Sequence, residues 1–202
     1  MPRIITGSAR GIHLFVPKGE TIRPTSDRAK EALFSKIGSR IVGGTVLDLF
    51  AGTGQIALEA LSRGAKKAVL VERHREALAA IRHNIEKTRF SERAVVMSGD
   101  VHRVASRLLR EQERFDFIYC DPPWSFEGEQ MLSLFPTLLK LCKPNGLIVL
   151  ESSSKGEPLS FDSAGVLCFE RCTYGLTVLS FYHPEKESDP ETESDEKTKD
   201  ER

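Results

Sequence analysis

Two short stretches of this 202-residue chain carry side chains able to do chemistry. The first is Asp121-Pro122-Pro123-Trp124, directly after the apolar run Phe115–Cys120. An ionised Asp121 offers only acceptor oxygens. Pro122 and Pro123 fix φ and lack N–H donors, so carbonyls near them can face a ligand as acceptors. Trp124, the only tryptophan, offers a flat face on which a nucleobase could stack, worth about 1–3 kcal/mol in single-stranded nucleic-acid sites. Acceptors beside a stacking face suit a planar ring that carries an exocyclic amine.

The second stretch is Asp48-Leu49-Phe50-Ala51-Gly52-Thr53-Gly54-Gln55-Ile56-Ala57. Gly52, Gly54 and Ala57 match G-x-G-x-x-A at a strand-to-helix turn, where backbone can approach a ligand beside a helix N-terminus. NAD, FAD and S-adenosylmethionine folds all use such a turn, so the match alone does not choose among them. Glu72 ends the next apolar run, 20 residues after Gly52, where a carboxylate can accept ribose hydroxyls; Arg73 follows it. Asp100 follows a third such run and could accept from an adenine amine. Asp48, inside the first run, suits a cationic sulfonium and its ammonium group better than a pyrophosphate. That favours S-adenosylmethionine over a dinucleotide.

These residues need a scaffold, and the hydrophobic pattern supplies one. Strands are predicted at Thr45–Phe50, Lys67–Glu72, Ala94–Met97, Phe115–Cys120 and Gly146–Leu150. Helices are predicted between them at Gln55–Arg63, Arg75–Lys87, Val101–Arg110 and Glu129–Leu141. Strands alternating with helices of this length form βαβ units and a parallel sheet covered on both faces. Val166–Arg171 and Leu176–Tyr182 are too close for a helical crossover and read as an antiparallel hairpin on the sheet edge. The fold class is therefore α/β, a Rossmann-like, mostly parallel sheet with a C-terminal antiparallel hairpin. Ahead of it, Ile4-Ile5 and Leu14–Val16 suggest short strands, and Ser26 or Asp27 could cap a helix over Arg28–Ile37.

Composition bounds the rest. The formal net charge is zero, but residues 184–202 hold nine acids against four bases, which leaves 1–183 at +5. Residues 1–40 hold eight bases against three acids, so the whole excess lies at the front. A local basic surface suits a polyanionic partner, although an ordinary solvated face would carry the same charge. The boundaries follow: a basic extension over 1–40, an S-adenosylmethionine-binding α/β domain over 41–183, and a tail over 184–202 with too little apolar content to order itself. The four cysteines form no CxxC pair, the five histidines no ligand cluster, and no apolar run is long enough for a membrane span. With no secretory signal at the N-terminus, a cytoplasmic protein without a metal is expected. A monomer is the default.

Together DLFAGTG, the acid in LVER and DPPW resemble class I methyltransferases that act on exocyclic amines. The segment RPTSDRAKEALF (23–34) is more specific, with Arg3-Ile4-Ile5, Gly7, Arg10-Gly11 and LEALSRGA (58–65). Over residues 3–182 the chain is similar to the bacterial family that methylates N2 of guanine 966 in 16S ribosomal RNA. That resemblance implies S-adenosyl-L-methionine as cofactor, with Asp48, Phe50, Gly52 and Gly54 at its methionine side, Glu72 on the ribose and Asp100 on the adenine. It implies that Asp121, Pro122, Pro123 and Trp124 hold the target base. It places Arg3, Arg10, Arg23, Thr25 and Arg28 in a region that meets 16S ribosomal RNA, in an assembling small subunit. Two departures stand out: Ile12-His13 replaces the family's usual basic pair, and Trp124 replaces a more usual Phe or Tyr. A DNA adenine-N6 methyltransferase would share the DPPW logic, a dinucleotide oxidoreductase the glycine turn, and a non-catalytic RNA-binding assembly factor the basic extension.

Overall fold

The computed structural model describes residues 2–17, 26–123, 126, 128–155 and 168–184. Helix α1 spans Asp27–Ile37 and leads through a 3₁₀ turn into β1, Thr45–Leu49. Then come α2 (Gln55–Ser62), β2 (Lys67–Glu72), α3 (Arg75–Thr88), β3 (Ala94–Ser98), α4 (Val101–Arg110) and β4 (Phe115–Cys120). The chain continues through α5 (Gly128–Leu141), β5 (Cys142–Ser153), β6 (Cys168–Tyr174) and β7 (Thr177–Tyr182). The seven strands form one sheet in the order β3-β2-β1-β4-β5-β7-β6. Strands β1 to β5 run parallel, and β7 enters antiparallel to both β5 and β6. The strand order reverses between β1 and β4, which makes their C-terminal ends the crevice where such sheets bind ligands.

Alternation along the strands divides the interior into two layers. Val46, Tyr119, Val149 and Leu179 face α1, α2 and α3 together with the N-terminal segment. Leu47, Leu49, Ile118 and Leu150 face α4 and α5. Strands buried on both faces read as continuous apolar runs, which is why these strands were legible in the sequence.

Three details differ from the sequence reading. Strand β5 begins at Cys142, because Phe115 pairs with Cys142 and the register then shifts before Phe117 pairs with Leu147. Glycine is needed at 146 because a Cβ there would lie 2.6 Å from Cys142 Sγ. In the hairpin, β6 runs on to Tyr174 and the turn falls at Gly175-Leu176; residues 166 and 167 lie outside the described residues. The N-terminal strands reduce to one antiparallel bridge, Arg3 with His13. Ser26, rather than Asp27, caps α1, its Oγ accepting from Ala29 N at 3.2 Å.

The N-terminal segment is built into the core more deeply than an appended arm would be. Ile4 and Leu14 are fully buried. Glu59 on α2, itself fully buried, accepts from Ile5 N at 2.7 Å, Thr6 N at 3.0 Å and Arg63 Nε at 2.7 Å. Lys30 of α1 is also fully buried, 3.9 Å from Glu59, and its Nζ donates to the Arg3 carbonyl. Gly7, at φ 90°, lies so close to the end of α2 that a Cβ would sit 1.8 Å from Ser62 O. The segment and α2 are therefore packed together as one unit. The tail beyond residue 184, read from composition as disordered, lies outside the described residues.

Candidate active site

Strands β1 and β4 are direct neighbours, with Leu49 opposite Cys120. The glycine turn after β1 and the Asp121 corner after β4 therefore share one end of the sheet. The Asp121 N–H makes a long contact, 3.5 Å, to Leu49 O.

The glycine turn is held by acids from two strands. Gly52 and Gly54 adopt φ of 57° and 80°, where L side chains are strained. Phe50 takes φ 61° without being glycine, a strained conformation of the kind that clusters at functional sites. Gly54 caps α2 yet has no side chain to offer. Asp48 fills that role from β1: its Oδ2 accepts from Ala57 N, in the first turn of α2, at 3.1 Å. Glu72 accepts from Gly52 N at 2.9 Å through one oxygen, and from Arg73 N and His74 N at 2.7 and 2.9 Å through the other. Both acids thus shape the turn before any ligand arrives. Asn84 of α3 donates to the Thr53 carbonyl at 3.0 Å from inside.

Asp100 caps α4, accepting from His102 N and Arg103 N at 3.1 and 3.3 Å. A groove of about 860 Å³ between β3 and α4 includes Asp100 and His102. It reaches none of Asp48, Glu72 or Asp121, so the polar geometry locates the candidate site better than that groove does.

At the β4 corner, Asp121 is half-buried as a residue with its carboxyl desolvated. Burial, then the charges of Glu151 and Asp48, hold its carboxyl well above the usual carboxylate range. Burial likewise pushes Asp48 up to about 7, opposed by the Ala57 hydrogen bond and reinforced by the Glu72 charge. Pro122 is half-buried and Pro123 exposed. The Pro123 carbonyl accepts from Phe126 N at 2.8 Å. Beside this corner Phe50 packs edge-on against Phe126 at 4.9 Å, and Phe126 stacks on His102 at 5.9 Å. Trp124 lies outside the described residues, as do Arg23 and Thr25.

Among the expected RNA-contacting residues, Arg10 and Arg28 are both exposed, Arg28 on α1. Arg3 is exposed but paired with Asp27 at 3.1 Å. Arg73 is exposed beside His74.

Sequence reasoning missed Glu151, Tyr119, Phe126 and Gln55. Tyr119 and Glu151 sit inside strands that read as plain core, and only the pairing of β4 with β5 brings them together. Gln55 is 7% exposed, directly follows Gly54, and its Oε1 has no hydrogen-bond partner among the described residues. A buried acceptor left unmade costs about 1–3 kcal/mol. A ligand carrying a donor at the glycine turn would satisfy it.

This strand order, with β7 antiparallel and an acid-bearing corner after β4, defines a class I methyltransferase fold. The chain belongs to the family described as Conserved hypothetical protein 95, whose model matches residues 2–183. It is 34% identical over 186 residues to Ribosomal RNA small subunit methyltransferase D of Haemophilus influenzae, covering 89% of this chain and 92% of that one. The protein of the same name from Escherichia coli is 37% identical over 122 residues, 60% of each chain. Among solved structures, a hypothetical protein of Thermus thermophilus superposes with a TM-score of 0.77 at 30% identity, covering 90% of this chain and 98% of that one. A Bacillus cereus O-methyltransferase solved with S-adenosylhomocysteine has a TM-score of 0.64 at 17% identity over 80% of this chain and 83% of that one, and shares the fold.

Proposed function

We propose that this protein transfers a methyl group from S-adenosylmethionine to the N2 amine of a guanine in small-subunit ribosomal RNA. The observation that carries the reading is the shared corner of Asp121 and the Asp48–Gly54 turn, in a chain whose relatives are named for ribosomal RNA methylation. The glycine turn fits the cofactor: it leaves backbone close to a ligand, and buried Gln55 Oε1 waits for a donor. Asp48 and Glu72 would hold the methionine and ribose ends.

The bound cofactor would supply an electrophilic methyl on a sulfonium. Asp121 then has to place the amine in line with it and exclude water; such positioning reaches effective molarities of about 10⁵–10⁸ M. A carboxylate accepting one amine hydrogen turns the nitrogen lone pair away from the purine ring. The methylated N2, with S-adenosylhomocysteine as the leaving group, would carry an acidic proton, and Asp121 or water would take it. Asp121 serves mainly in positioning and electrostatics. Trp124 would stack on the base. Arg10, Arg23, Thr25 and Arg28 would meet RNA phosphates, and the target would lie in a loop whose bases can be splayed out. An assembling small subunit is the proposed setting.

The test is incubation with labelled cofactor and small-subunit RNA, free or in particles, alongside DNA, followed by mass mapping of the modified nucleoside. N2-methylguanosine in RNA is the expected product. N6-methyladenine in DNA, or cofactor binding without transfer, would overturn the proposal.

A further inference from the structure

Glu151 is a buried acid at the end of β5 that the reaction described above does not use. Its neighbours fix it. In β4 and β5 Cys120 lies opposite Leu150, so Asp121 and Glu151 follow side by side on adjoining strands. Alternation places Glu151 on the same face as Val149 and Tyr119, the face shared with the N-terminal segment. The Tyr119 hydroxyl donates to Glu151 Oε2, and the Thr177 hydroxyl donates to Oε1 at 3.3 Å. Two hydroxyls therefore orient one carboxylate, one on each oxygen. A carboxylate oxygen has two acceptor sites, so one that already holds a hydroxyl can also receive a donor from a ligand. The charges of Glu151 and Asp121 also act on one another, which places them within a single electrostatic environment.

The edges of the candidate bases differ in what they offer such a pair. Guanine presents N1–H next to its N2 amine, a continuous row of donors. Adenine presents an N1 lone pair next to its N6 amine. Two neighbouring carboxyl groups, even with a proton held on Asp121, leave acceptor oxygens side by side, which match the first edge and repel the second.

We infer that Glu151 is a specificity-determining residue: its carboxylate accepts the N1–H of the target guanine while Asp121 holds the N2 amine. The inference rests on the guanine-N2 reading and deepens it. Sites built to hydrogen-bond a polar group reject analogues that lack it, because the site's own polar group is then left unmade. Glu151 does more, since its negative charge would face a lone pair on the wrong base.

2-Aminopurine probes this contact. It keeps the exocyclic N2 amine, replaces N1–H with a lone pair and also lacks O6, so the Glu151→Gln arm separates the N1 contact from the loss of O6. Small-subunit RNA is built by ligation with guanine or 2-aminopurine at the mapped target position, and kcat/KM is measured on both for the wild type and for Glu151→Gln. The wild type should prefer guanine by about 10–100-fold, the range for a hydrogen bond to a charged group. In Glu151→Gln the amide can donate to N1, so the preference should fall to within about threefold, chiefly through faster transfer to 2-aminopurine. Binding of S-adenosylhomocysteine and the melting temperature of the variant establish that it is folded. Equal wild-type rates on the two bases would overturn the inference alone, and need no variant. Full discrimination retained by Glu151→Gln would overturn it too. No transfer to guanine by the wild type would remove the guanine reading and this inference with it.

Discussion

Asp48 on β1 accepts a hydrogen bond from the backbone N–H of Ala57 on α2 at 3.1 Å, across the glycine turn. A helix whose cap is glycine borrows its capping carboxylate from a strand. The same carboxyl is almost fully buried beside Glu72, and burial pushes it up to about 7. One residue thus stabilises the turn and carries a carboxyl whose charge burial opposes.

That arrangement gives stability a pH dependence of known sign. The folded-state pKa of Asp48 is raised above its ordinary value, so between about pH 4 and 7 the folded protein holds more protons than the unfolded chain. Stability from this group is therefore greatest at the acid end of that window and is lost as pH rises to about 7. Asp48→Asn keeps an acceptor for Ala57 N and removes the titration. Urea denaturation at pH 8 should find the variant more stable than wild type, by about 4 kcal/mol at most, and the gap should close near pH 4. Its affinity for S-adenosylmethionine should fall.

Glu72 accepts from three backbone N–H groups, at Gly52, Arg73 and His74. Glu72→Ala leaves all three without that acceptor. Thermal unfolding should show a loss of roughly 1–3 kcal/mol. Calorimetric titration should show weakened cofactor binding, because the turn itself loosens.

Lys30 and Glu59 fasten the N-terminal segment to α2 from within the core. Lys30→Met removes one charge but leaves Glu59 with Arg63 and two backbone donors. Glu59→Leu leaves buried Lys30 with only Asp27 at 3.8 Å as a counter-charge and orphans Ile5 N and Thr6 N. Burial already lowers the Lys30 ammonium pKa, with Glu59 opposing that shift. Equilibrium denaturation should therefore find Glu59→Leu much the worse of the two, by about 3–5 kcal/mol relative to wild type.

Asp121→Asn should lower turnover by about 10²–10³-fold while S-adenosylhomocysteine still binds. Single-turnover transfer to RNA and calorimetric titration read the two effects separately. Unchanged turnover would exclude Asp121 from the reacting centre.

Arg10 is exposed and Arg3 is paired with Asp27, so the two should respond differently in RNA binding. Arg10→Ala should flatten the slope of log K against log salt by about 0.7–0.9. Arg3→Ala should change it less, since its loss also frees Asp27. Equal effects would show that the Asp27 pairing does not hold when RNA binds.

The alternation of strands and helices was legible because strands buried on both faces leave long apolar runs and amphipathic helices keep their period. Asp48, Gly52, Gly54, Glu72 and Asp100 were legible because strand-end acids and turn glycines occupy fixed offsets in a βαβ unit. The sequence pattern starts β5 at Gly146 rather than Cys142, because Lys143-Pro144-Asn145 interrupts the apolar run where the register shifts. Glu151 was invisible as a site residue: nothing local separates it from a core strand's last acid. By itself, then, the amino-acid sequence determined the class of fold, the end of the sheet where chemistry belongs, and the basic charge at the front of the chain. These follow from local period, turn chemistry and composition. Tertiary structure alone decided that Asp48 caps α2, that Lys30 and Glu59 bind the N-terminal segment into the core, and that Tyr119 meets Glu151 on the strand beside Asp121. Each of those depends on which strands and helices become neighbours, and long-range pairing leaves no mark on the residues either side of it.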